Sequence, residues 1–222
     1  MPTRARYDGV VDWYEEFRPG LAEAEVDVLE RYLGEGDGAC LDLGCGTGVA
    51  IPQLRRLGWT VVGVDVSEGM LARAREHGAE VVQAAGDALP FPDESFDAVV
   101  SLWTHTDVDD FPAVVREAAR VLRPAGPLVY VGAHPCFVGP HSRFISAEGV
   151  PQLHPGYATT GPYDSGPAIG PDGLRARVGA THLPLGLFLS AFLDAGFQIE
   201  RFEELDLDSS RYPFRLALRA RR

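Results

Sequence analysis

The residues best suited to chemistry in this chain form the run Leu41-Asp42-Leu43-Gly44-Cys45-Gly46-Thr47-Gly48. Alternating glycines let main chain approach a small ligand where a side chain would collide. The carboxylate of Asp42 at the same turn favours a ligand that carries positive charge. A dinucleotide fits poorly. Its G-x-G-x-x-G fingerprint needs glycine where Val49 stands, and it sets a pyrophosphate on a helix N-terminus, where Asp42 would repel it.

Two further acids follow at matching places. Asp65 ends the apolar run VVGVD, where a carboxylate can accept hydrogen bonds from both hydroxyls of a ribose. Asp87, in Gly86-Asp87-Ala88-Leu89, follows a third apolar run and suits the amino group of an adenine. Taken singly, each acid reads equally well as a turn or helix-cap residue. Together, at the C-terminal ends of three successive strands, they face the crevice where open α/β sheets bind ligands. The ligand they describe is a nucleoside bearing ammonium and sulfonium charge, S-adenosylmethionine (SAM).

The elements that must position these acids are legible in the patterning. Residues 21–33 space their apolar positions as a one-sided helix does, and Gly34, Gly36 and Gly38 stop it. The pattern then predicts a strand at 40–43, a helix near 49–57 that tolerates Pro52 in its first turn, a strand at 60–64 and a helix at 68–77. Strands at 81–84, 96–102 and 128–131 follow, with a helix at 111–122 closed by Pro124 and Gly126. Strands alternating with helices imply a parallel sheet with right-handed crossovers. After a Gly- and Pro-rich segment at 133–183, a helix at 185–195 precedes strands at 197–205 and 214–219. The short turn between them permits only an antiparallel pair.

Composition sets the limits. The 222 residues suggest one large domain, and 45% hydrophobic with 23% charged residues is ordinary for a globular chain. A formal charge of -12 argues against nucleic acid, whose affinity comes largely from Lys and Arg on phosphates. All basic residues except histidine are Arg; the absence of Lys and Asn removes Schiff-base and Walker lysines and any Asn-Pro-Pro-Tyr amino-methylation motif. The longest apolar stretch, 183–193, is too short to span a bilayer, and the first nine residues lack the apolar region of a signal peptide. Cys40, Cys45 and Cys136 show no metal-type spacing and suit a reducing cytoplasm. No membrane partner is expected, and a homodimer is left open.

LDLGCGTG, then VVGVDVSEGML, then GDALPFPDESFDAVVS and VLRPAGPLVYV resemble the successive motifs of class I SAM-dependent methyltransferases. The flavour is that of the small-molecule enzymes of quinone and natural-product biosynthesis. The resemblance covers about 39–132, and the final helix and strand pair agree with it. It implies a Rossmann-like α/β fold whose seven-stranded, mostly parallel sheet has its last strand antiparallel. The implied layout is one domain over 1–222: a helical N-terminal cap at 1–37, a SAM-binding core at 39–132, a substrate-side cap at 133–183, and a final helix and strand pair at 184–222. SAM contacts carry over to Asp42, Gly44, Cys45, Gly46, Gly48, Asp65, Val66, Met70, Asp87, Ala88 and Ser101. Met70 would pack on the adenine, or serve only as helix core. Tyr7 and Tyr14 resemble N-terminal tyrosines that help close such sites.

Methyl transfer from a sulfonium gains most from alignment, and it needs a base only if the acceptor must lose a proton. Histidine suits that role near neutral pH. His105 follows the fourth strand, His134 the fifth, and His182 precedes the last large helix; packing or substrate positioning serves equally for each. Trp103, His134, Tyr157, Arg175 and His182 are the candidate acceptor contacts. The 133–183 segment also holds His141 and His154, and its aromatics (Phe137, Phe144, Tyr157, Tyr163) with Arg143, Arg175 and Arg177 suggest an acceptor of mixed character, an aromatic or polyketide-like molecule with an acidic group. O-methylation of a small molecule is the leading expectation. The alternatives are a SAM-binding enzyme running another reaction and a non-catalytic SAM-binding partner. No metal site is expected. Pro135-Cys136 matches the nucleophile dipeptide of cytosine C5-methyltransferases, but follows the fifth strand, not the fourth.

Overall fold

A computed structural model describes residues 5–140, 142–143, 152–153, 156–166, 169–207 and 212–222, with backbone only for 142–143 and 152–153. His141, Phe144 and His154 lie outside these residues, as does the side chain of Arg143. The strands are β1 (Ala39–Leu43), β2 (Thr60–Asp65), β3 (Val81–Gln83), β4 (Ala98–Leu102), β5 (Pro127–Ala133), β6 (Ser142–Arg143), β7 (Gln152–Leu153), β8 (Gly161–Tyr163), β9 (Ala180–His182), β10 (Gln198–Leu205) and β11 (Arg215–Arg221). The helices are α1 (Val11–Phe17), α2 (Glu23–Val28), α3 (Ile51–Arg56), α4 (Glu68–Glu76), α5 (Phe111–Val121), α6 (Leu174–Val178) and α7 (Leu185–Asp194).

Seven strands form one sheet in the order β10-β11-β5-β4-β1-β2-β3. β1 pairs in parallel with β2 and β4, whereas β11 runs antiparallel to both β5 and β10. From β1 the chain builds outward through β2 and β3, then crosses to β4 and β5 on the other side. That reversal leaves a crevice beyond the C-terminal ends of β1 and β4, where ligands bind in such sheets.

Alternation of side chains supplies both faces of the core. Leu41, Leu43, Leu128 and Tyr130 join Phe111, Phe188 and Phe192 in one cluster. Cys40, Val100, Val129 and Val131 join Val28, Leu29, Tyr32 and Leu54 in the other. The expected helix at 21–33 is α2 running directly into a π-helical turn, Leu29–Leu33, which ends at Gly34.

Two expectations change in detail. Phe96 was read as strand, but it makes only an isolated bridge to Leu122, and β4 begins at Ala98. The irregular 133–183 segment contains two small antiparallel ribbons, β6–β7 and β8–β9, together with α6. Ribbons this short lack a periodic apolar stripe, so their sequence carries little signal. No helix among the described residues is long and apolar enough to cross a membrane.

Candidate active site

The glycine turn is held from below by hydroxyls and from the side by a carboxylate. Ser101 Oγ donates to the Leu43 carbonyl at 3.0 Å, Thr104 Oγ1 reaches the same oxygen at 3.3 Å, and the two hydroxyls are bonded to each other. A β-carbon on Gly44 would crowd Thr104 at 3.0 Å, and Gly44 has φ +77, so a side chain there is disfavoured by both contact and backbone conformation. Gly46, with φ +54, faces open space. Its N–H donates to Asp65 Oδ2 at 2.9 Å, while Ser67 N–H donates to Oδ1 at 2.9 Å. Burial pushes the Asp65 pKa up, and these backbone donors oppose the rise.

Ser67 caps α4 by accepting from Met70 N–H, and its own hydroxyl donates to Asp8 at 2.5 Å. The N-terminal segment is thereby fastened across the crevice. Arg6 continues the fastening through Asp109 at 2.5 Å and Thr181 Oγ1 at 3.0 Å. Beneath this strap lies a cleft with about 740 Å³ of open space. Gly44, Gly46, Asp65, Val66, Met70, Tyr7 and Tyr14, all named from the sequence, line this cleft together with Ala84, Gly86 and Thr104.

The other cofactor candidates stand around the cleft without lining it. Gly48 packs on α4, where a β-carbon would meet Ala74 at 3.2 Å. Cys45 is buried beside Gly63, and Ser101 serves the Leu43 carbonyl. Asp87 is half-buried and Ala88 exposed, with Gly86 reaching the cleft in their place. Asp42 is buried, and its Oδ2 has no hydrogen-bond partner among the described residues. Burial, reinforced by the negative charge of Asp65 and opposed by Arg18, pushes its pKa up to about 7. An orphaned carboxylate behind a glycine turn is the arrangement that a cationic ligand would complete.

A second cavity, with about 950 Å³ of open space, adjoins the first. Tyr7, Tyr14, Trp103 and Asp107 line both. Its walls are otherwise mainly apolar, with Phe17, Ala133, Val138, Leu174 and Phe214, and it is edged by Arg18, Glu25, Arg175 and Arg215. Trp103 is held in the left-handed region (φ 65) by its N–H bond to Val131 O at 2.7 Å. Its indole N–H donates to buried Glu25 Oε1 at 2.5 Å, and the Arg18 guanidinium lies 5.2 Å from its ring centre. Arg175 donates to Asp107 Oδ1 at 2.5 Å and to Thr106 Oγ1 at 2.8 Å.

Trp103 and Arg175 are thus brought together in the lining of the second cavity, whereas Tyr157 is not. Its phenol accepts from Leu185 N–H at 2.8 Å, outside either cavity lining. Arg177 lies over the Trp13 ring at 4.7 Å, joining the 133–183 segment to α1.

None of the three histidines lines either cavity. His105 is enclosed by Phe111, Tyr130 and Phe188, with Nδ1 bonded to the Tyr130 hydroxyl, and burial lowers its pKa to about 3. His134 Nδ1 accepts from Cys136 N–H at 3.2 Å, so Nε2 carries the proton toward Glu204 at 3.0 Å. His182 Nε2 donates to the Tyr157 carbonyl at 2.7 Å. Asp107 and Glu25 are the site residues that sequence reasoning missed. Asp107 follows the fourth strand, a signal present in the sequence, but Glu25 is brought in from a helix whose spacing looked ordinary. Among the described residues, no cluster of His, Cys, Asp and Glu is arranged to hold a metal.

Comparison with known proteins agrees with this fold. A methyltransferase domain model matches residues 41–130. A demethylmenaquinone methyltransferase of Mycobacterium marinum is 46% identical over 99 residues, which are 44% of this chain and 42% of the relative. One from Tropheryma whipplei is 38% identical over 51% of this chain and 50% of its own length. The chain thus spans half or less of the curated relatives it matches. Among solved structures, a SAM-dependent methyltransferase of Mesorhizobium loti superposes with TM-score 0.73 and 28% identity over 97% of this chain and 99% of its own. The [4+2]-cyclase SpnF shares the fold at TM-score 0.69 and 18% identity, covering 100% of this chain and 98% of its own. Residues 41–130 of this chain match a methyltransferase domain, and the chain shares the fold of solved SAM-dependent methyltransferases.

Proposed function

We propose that the protein transfers a methyl group from SAM to a hydroxyl of a small aromatic acceptor. The observation that carries this reading is the junction of the two cavities at Tyr7, Tyr14, Trp103 and Asp107. One cavity has the acids and glycines that suit SAM, the other has apolar walls, and only a few side chains separate them. Bound SAM supplies an activated methyl group on a sulfonium. Asp65 would hold the ribose, Gly44 and Gly46 would admit the backbone-facing edge, and Met70 would pack on the adenine. Asp42 would supply negative charge behind the turn.

Residues 133–183 form the acceptor-side cap in this reading, with Arg175 its contribution to the cavity. The relatives' names speak of demethylmenaquinone, which suits an aromatic acceptor. The matched domain at 41–130, however, contributes only Trp103 and Asp107 to the second cavity. The acceptor is therefore chosen by residues outside the match. Three free cysteines suit a reducing cytoplasm.

Incubation with SAM and a panel of phenolic acceptors tests the proposal. S-adenosylhomocysteine should form together with an acceptor heavier by one methyl group. SAM binding without methyl transfer to any member would overturn it.

A further inference from the structure

We propose that Asp107 is the catalytic residue that takes the proton from the acceptor hydroxyl. This inference rests on the methyl-transfer reading and adds the group that sequence reasoning sought among the histidines. Asp107 is the one carboxylate that lines both cavities among the described residues. It stands just beyond β4, at the end of the short helical turn Thr104–Thr106. Glu25 also borders the second cavity, but its oxygens are taken up by Arg18, Trp103 and the Ala22 N–H. Asp65 borders only the first, and its oxygens hold the backbone of Gly46 and Ser67.

Arg175 donates to the Asp107 carboxylate from the cap side at 2.5 Å, and the Tyr7 hydroxyl hydrogen-bonds to it from the strap, so both hold the carboxylate at the junction. A hydroxyl entering the second cavity meets this carboxylate where the two spaces join. There the O–H bond breaks and the proton passes to Asp107, leaving a neutral acid. The oxygen keeps the electron pair with which it takes the methyl group, and the pair of the methyl–sulfur bond stays with sulfur. A phenol or enol releases its proton more readily than an aliphatic alcohol, and electron-withdrawing substituents ease that release further. The device therefore suits acidic hydroxyls, such as phenols and enols with electron-withdrawing substituents, and not aliphatic alcohols.

The test uses 4-nitrophenol, whose neutral and ionised forms absorb at different wavelengths, bound to the intact protein without SAM. A carboxylate facing the hydroxyl favours the neutral phenol, so the natural protein should raise the apparent pKa of the bound probe. Asp107→Asn, which keeps an oxygen for Arg175, should abolish that rise and lower kcat at saturating SAM roughly 100-fold or more. Equal probe pKa values in the two proteins would overturn the proposal, as would absence of any spectral response in the natural protein. A normal spectral response with no methyl transfer to any phenol would instead overturn the methyl-transfer reading and leave the Asp107 contact standing.

Discussion

Replacing Asp42 by Asn separates the cost of a buried charge from its use. Asp42 is 1% exposed and its Oδ2 has no partner among the described residues. Burial, then the charge of Asp65, moves its pKa from 3.8 to about 7. The folded chain thus holds a proton that the unfolded chain has already released. Stability is greatest from this source below the unfolded value and is lost as pH rises toward the folded one. At about 1.4 kcal/mol per pKa unit, the full loss is roughly 4 kcal/mol, of which about 3 kcal/mol falls between about pH 5 and about pH 8.

Asn has no charge to bury. In urea unfolding without ligand, the advantage of Asp42→Asn over the natural protein should therefore grow by about 3 kcal/mol across that window. SAM should reverse the trend in the natural protein, because its positive charge compensates the ionised carboxylate. Its stabilisation should rise with pH there and stay level in the variant. A stability difference independent of pH, or one that shrinks as pH rises, would refute the argument that Asp42 is a stored, uncompensated charge.

Asp65→Ala removes the acceptor of two backbone N–H groups as well as the proposed ribose contact, and hydrogen bonds to a charged group contribute about 1.5–3 kcal/mol each. Calorimetry should show SAM affinity falling roughly 100-fold or more; normal affinity would place the ribose elsewhere. His105, neutral in its aromatic enclosure, should show no NMR titration from about pH 5 to about pH 8, whereas a midpoint near the ordinary histidine value would mean that water reaches it. Glu25→Ala strands its half-buried neighbours Arg18 and Trp103 and should lower unfolding stability by about 1–3 kcal/mol; a loss well below about 1 kcal/mol would show that the cavity edge relaxes. Gly63→Ala sets a β-carbon 2.7 Å from Cys45 Sγ and should lower the melting temperature by a cost of about 1–3 kcal/mol, which an unchanged melting curve would contradict.

Much of the fold was legible because its signals are local. The runs that became β1, β2, β4 and β5 are each near-continuously apolar over a few residues, and Gly34 and Gly78 stand beside the helical turns they close. The lining of the first cleft was legible for the same reason. Gly44, Gly46 and Asp65 lie at strand ends, and strand order places those ends together.

Roles that depend on distant chain segments were not legible. His105, His134 and His182 share a residue type with many bases, yet their surroundings come from α7, β10 and the loop bearing Tyr157. Asp107 acquires its meaning from Arg175, 68 positions away, and Glu25 acquires its own from Trp103, 78 positions away. The sequence by itself determined the sheet, the glycine turn and the carboxylates suited to SAM, because periodicity and strand-end placement are short-range properties. Only the tertiary structure decided which ionisable group stands between the two cavities, because burial and pairing are made by segments that meet after the chain has folded.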